Sequence, residues 1–112
     1  MHELSIAMSI VDLAVQEAKN NGNSRLSALE IEVGELSGVD INGLDFSLGI
    51  ILKSSRMNVD HKILTVSPLS RCNACKKDFQ TVRKYVKCPF CGSGDTRLMQ
   101  GNELRLKSII VE

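Results

Sequence analysis

Two groups of residues in this chain have types and spacings suited to chemistry. The first is a pair of Cys-x-x-Cys motifs, Cys72-Asn73-Ala74-Cys75 and Cys88-Pro89-Phe90-Cys91, separated by residues 76–87. Two residues between thiolates let one tight turn present both sulfurs to one ion, and two such turns complete a tetrahedral shell. The second motif runs into Gly92, which can take the backbone conformation such a turn needs. Soft thiolates in a tetrahedron favour zinc, with iron next. Two disulfides or reduced structural thiols are the other readings of four cysteines. A shell of four thiolates leaves no open position for substrate, so Cys72, Cys75, Cys88 and Cys91 are expected to hold a structural ion. That ion would fold a segment too poor in apolar side chains to make its own core.

The second group is the opening Met1-His2-Glu3. Its plain reading is a polar helix start, with the Glu3 carboxylate favoured at a helix N-terminus. Its chemistry allows more. A large residue at position 2 disfavours removal of the initiator, so the free amine is expected on Met1. That amine, the His2 backbone nitrogen and the His2 imidazole can close two fused chelate rings, and Glu3 can add an oxygen. A planar nitrogen and oxygen set suits nickel(II) or copper(II) rather than zinc. The amine, with a reference pKa of about 8, must lose its proton to bind, so affinity should weaken as pH falls.

The elements that must position these groups show in the periodicity. Ser5, Ser9, Asp12, Gln16 and Lys19 alternate by threes and fours with an apolar side of Leu4, Ala7, Met8, Val11, Ala14, Val15 and Ala18, which predicts a first helix. Asn20-Asn21-Gly22-Asn23 would stop it. Leu29-Glu30-Ile31-Glu32-Val33 alternates as a half-buried strand, and Gly34 and Gly38 punctuate the turn after it. Asp40 is a natural N-cap for a second helix with Ile41, Leu44, Leu48, Ile51 and Leu52 on one face, although Asn42-Gly43 weakens its start. Residues 59–66, ended by Pro68, and residues 103–111 read as two further strands. The order predicts an α+β body, a small three-stranded sheet with two helices on one face. A four-cysteine subdomain of zinc-ribbon or rubredoxin-knuckle type would be inserted at residues 71–97, leaving residues 1–70 and 98–112 as the body.

With 112 residues the chain suits one small domain with an insert. Its 14 basic and 13 acidic residues give a net charge of +1, without the basic excess of a dedicated nucleic-acid binder. That balance hides an asymmetry: residues 71–97 hold seven basic residues against two acidic, which leaves −4 on the rest. Four thiolates around a divalent ion would offset part of the basic segment, so an acidic partner fits it better than phosphate. Aromatics are only 4%, with no Trp, which argues against a base-stacking platform. No apolar run is long enough to span a membrane and no signal pattern opens the chain, so the expected location is the cytoplasm. A Gly-rich phosphate loop is absent and His2 and His61 are the only imidazoles, so an enzyme is the weakest reading.

Taken together, Met1-His2-Glu3-Leu4-Ser5, the stretch Val33-Gly34-Glu35-Leu36-Ser37-Gly38-Val39, the spaced Cys pairs and the closing Glu103–Val111 strand resemble the HypA/HybF family of hydrogenase maturation nickel metallochaperones over essentially the whole chain. The resemblance implies transient nickel(II) binding by His2, with Glu3 and the Met1 amine in support, and structural zinc(II) on Cys72, Cys75, Cys88 and Cys91. It also implies delivery of nickel to the large subunit of [NiFe]-hydrogenase, or in some members to urease, together with a HypB-like maturation GTPase. A zinc-ribbon adaptor that handles no nickel is the alternative, and monomer and dimer both stay open. The chain departs from the pattern at Gly49, where a carboxylate is common in the family. Arg71, Asn73, Lys87 and Gly92 flank the Cys pairs with no His beside them, which disfavours exchange of zinc ligands. His61 is expected to be structural or simply exposed.

Overall fold

The computed structural model describes residues 2–22 and 25–112. Met1 of the N-terminal chelate and Asn23 of the expected turn lie outside the described residues. The first helix, α1, spans Glu3–Asn20, with Glu3 in its first turn and Lys19 in its last, both suited to the helix dipole. Ala7, Ile10, Val11, Ala14 and Ala18 form its buried stripe. This stripe is rotated slightly from the expected one. Leu4 and Met8 remain 52% and 53% exposed, while Ile10 goes inside. Gly22, with φ 77°, turns the chain after the helix.

Strand β1 (Leu26–Gly34) follows, and its alternation sends Leu29, Ile31 and Val33 into the core. Helix α2 (Ile41–Ser54) buries Leu44, Leu48 and Leu52, and crosses over to β2 (Asp60–Val66), parallel to β1. The closing strand β6 (Leu104–Val111) pairs antiparallel on the other side, which gives the order β2-β1-β6. Helix α1 packs on β1 and β6 and α2 on β2, side by side. The expected body of two helices on one face of a three-stranded sheet is thus present. Each fully buried Leu or Ile contributes about 1.5–3 kcal/mol.

Between β2 and β6 the chain builds a second sheet from β3 (Leu69–Cys72), β4 (Asp78–Gln80) and β5 (Thr96–Gln100), in the order β4-β3-β5. These strands reach beyond residues 71–97 on both sides. The two sheets meet at a tight junction. Gly34 lies so close to Gly101 that a Cβ would stand 2.1 Å from the Gly101 carbonyl atoms, and Gly101, with φ 114°, in turn abuts Pro68. The Leu36 amide donates to the Gly101 carbonyl at 2.7 Å, and the Gly34 amide to that of Glu103 at 2.8 Å. The molecule is elongated, about 54 × 28 × 16 Å.

Candidate metal sites

The two Cys-x-x-Cys segments fold as copies of one knuckle. In the first, the Lys76 amide donates to the Cys72 carbonyl and the Cys72 amide to the Lys77 carbonyl, each at 2.9 Å. In the second, Gly92 donates to Cys88 and Cys88 to Ser93, again at 2.9 Å. The residue after each second cysteine takes positive φ, 65° for Lys76 and 75° for Gly92. The amides of Cys75 and Phe90 point at the Cys72 and Cys88 sulfurs, 3.4 Å away in both cases. Strands β3 and β5 hold the first knuckle at their end, and the Arg71 guanidinium grips Asp78 of β4 with two hydrogen bonds of 2.6 and 3.2 Å.

The four sulfurs converge. Cys72 and Cys91 lie 3.5 Å apart, Cys75 and Cys88 3.7 Å apart, and all four sulfurs fall within 4.8 Å of one another. A tetrahedral ion with sulfur at about 2.3 Å requires sulfur–sulfur separations of about 3.8 Å, so the cluster fits such an ion closely. All four are free thiols, with Cys72 and Cys88 buried and Cys91 exposed. Phe79 and Val86 pack against the buried pair. The amide of Cys75 draws the Cys72 thiol below its usual range. At Cys88, burial pushes upward most strongly, but the amides of Cys91 and Phe90 and the neighbouring thiols together bring the thiol down to about 7. At Cys91 the Ser93 amide pulls downward, yet the Cys72 thiol, burial and the other sulfurs push it up to about 11. Sulfurs so crowded share one set of protons, and a cation among them relieves the repulsion.

The N-terminal residues are placed differently. His2 is the exposed N-cap of α1 and makes no side-chain capping bond. The Glu3 carboxylate accepts a hydrogen bond from the Asp40 amide at 3.1 Å, which ties the starts of α1 and α2 together and holds the Glu3 carboxyl below its ordinary range. Asp40 occupies the N-cap of α2, as its type suggests, but its carboxylate makes no capping bond. Instead it lies over Gly43, where a Cβ would stand 3.0 Å from Asp40 Oδ2 and 3.4 Å from Glu3 Cγ. The glycine that weakens α2 in the sequence thus leaves room for the Asp40 carboxylate and the Glu3 side chain. Asp40 is the residue that the N-cap pattern concealed. Among the described residues, the four cysteines are the group of three or more ligand side chains that converges, and His2, Glu3 and Asp40 form no such group. His61 bonds Asp45 Oδ1 at 2.8 Å, which links β2 to α2.

An α+β body carrying a four-sulfur knuckle pair defines a small metal-binding protein of two parts. The family described as hydrogenase/urease nickel incorporation, metallochaperone, HypA matches residues 1–111. A hydrogenase maturation factor HypA of Parabacteroides distasonis is 40% identical, over 100% of this chain and 98% of its own, and one of Prosthecochloris aestuarii is 36% identical over the full length of both. A solution structure of a HypA protein superposes with TM-score 0.71 at 25% identity, covering 100% of this chain and 97% of the other. That of the nickel metallochaperone HypA from Helicobacter pylori superposes with TM-score 0.68 at 25% identity, covering 99% and 97%. The chain belongs to the HypA family of hydrogenase/urease nickel-incorporation metallochaperones. The family consists of maturation factors rather than catalytic enzymes, and that role engages the maturation machinery. No helix among the described residues is long and apolar enough to cross a membrane.

Proposed function

We propose that the chain binds nickel(II) at its N-terminus and hands it to the large subunit of [NiFe]-hydrogenase in the cytoplasm, in concert with a HypB-like GTPase, with urease as a second recipient. The observation that carries this reading is the exposed His2 at the tip of α1, followed by Glu3, whose carboxylate is held by the Asp40 amide. The Met1 amine, the His2 amide and the His2 imidazole supply nitrogen donors, and Glu3 an oxygen. A terminal site surrenders its ligands one at a time, which suits a cargo that must leave. Cys72, Cys75, Cys88 and Cys91 hold zinc(II), which folds residues 71–97 and takes no part in the transfer. Calorimetric titration of the untagged chain with nickel(II) tests the proposal: wild type binds one ion per chain, and His2→Ala loses at least about tenfold in affinity. Equal binding by the two overturns it.

A further inference from the structure

At the end of β1 remote from the junction, the ends of both helices frame an open groove of about 570 Å³. Its floor is apolar, built by Val15 and Ala18 of α1, Leu26 at the start of β1, and Met57 and Val59 ahead of β2. Its rim carries three exposed cations, Lys19, Arg25 and Arg56. The charge there runs against the rest of the body. Outside residues 71–97 the chain has seven basic and eleven acidic residues, yet three of those cations and none of those acids line the groove. Arg25 has a counter-charge in Glu112, whose carboxylate stands 3.8 Å from Arg25 Nε, a loose exposed pair.

Arg56 carries a second, independent signal. Helix α2 closes with the Met57 amide bonded to the Leu52 carbonyl and the Arg56 amide to that of Lys53, each at 3.1 Å. This is the paired-bond ending in which glycine ordinarily takes the left-handed position. Here the position belongs to Arg56, with φ 55°. A long cationic side chain kept where the backbone prefers glycine points to a use for the side chain. A cation at a helix C-terminus also complements the helix dipole, which accounts for the charge of Lys19 and Arg56 but not for Arg25, which precedes β1, nor for the left-handed backbone at Arg56.

We infer that this groove docks an acidic peptide segment of a partner protein, its carboxylates on Lys19, Arg25 and Arg56 and one or two large apolar side chains on the floor. The apolar floor calls for apolar groups and the rim for anions, and an open groove suits an extended segment better than an enclosed small molecule. Strand β1 separates this end from the junction by about 26 Å at 3.3 Å per residue, so a docked segment leaves His2 and the cysteines uncovered. The inference does not depend on nickel binding.

A random hexapeptide display library selected on the zinc-loaded chain is the probe. The peptides recovered should combine Asp or Glu with Leu, Ile or Phe, and amide shift changes on adding one of them should centre on Lys19, Leu26 and Met57. Arg56→Gly removes the cation while easing the backbone. It should weaken that peptide at least about tenfold, leave the melting temperature unchanged or raised, and leave nickel(II) titration unaltered. Peptides without acidic bias, shift changes elsewhere, or equal binding by Arg56→Gly each overturn the proposal.

Discussion

At the scale of single residues, the chemistry that spacing can encode was the most legible. Two Cys-x-x-Cys motifs announce a four-sulfur cluster because two intervening residues fit one turn, and the sulfurs do converge. Gly92 announces its positive φ by its type. Lys76 occupies the equivalent point with φ 65° and gives no such sign, since nothing about a lysine marks left-handed backbone. The two positions should therefore respond oppositely to substitution. Gly92→Ala forces a Cβ into the left-handed region and should cost about 1 kcal/mol. Lys76→Gly should be neutral or stabilising by a similar amount. Thermal unfolding of the zinc-loaded chain checks both, and a clear loss of stability in Lys76→Gly contradicts the argument. Asp40 was hidden for a different reason: its partner Glu3 is 37 positions away, and its helix-capping type offered a sufficient local explanation.

At the scale of elements, both helices and all three strands of the body were readable because each is long enough to show its period. Strands β3, β4 and β5 were not. They have four, three and five residues, too few to display a period in the sequence even though burial alternates along β3 and β4. The knuckles and the pairing across β3 impose them, not their own side chains. Gly34 was readable only in part. A turn glycine is expected after a strand, but its main role is to let the chain pass against Gly101, which no local pattern reveals. Gly34→Ala should consequently cost at least about 2 kcal/mol, since a backbone rather than a side chain must move. Urea denaturation measures it. A loss under about 0.5 kcal/mol, the range of an ordinary surface change, would mean that the junction yields freely.

At the scale of the whole molecule, the net charge of +1 divides into a basic cysteine segment and an acidic body, and the body divides again, with cations collected at the far groove. The two sheets have separate cores, joined mainly at the junction around Gly34, Pro68 and Gly101. On the proposed zinc site, Cys72→Ser removes one of the four converging thiols and should release zinc and unfold the second sheet. Amide exchange in α1, β1 and α2 should stay protected, and nickel(II) binding at His2 should stay largely intact. Loss of protection throughout would mean that the parts do not fold independently.

The central claim concerns the first residues, and its sharpest test is nickel(II) titration across pH of the native chain against one acetylated at the Met1 amine. Acetylation leaves His2, Glu3 and the fold in place but takes the basic amine out of its chelate ring. A free amine must lose a proton near pH 8 to bind, so the native chain should bind more weakly as pH falls from 8 to 6. The acetylated chain should bind at least about tenfold more weakly at pH 8. Equal affinity of the two chains, with no dependence on pH, would contradict nickel binding by the N-terminal amine and His2.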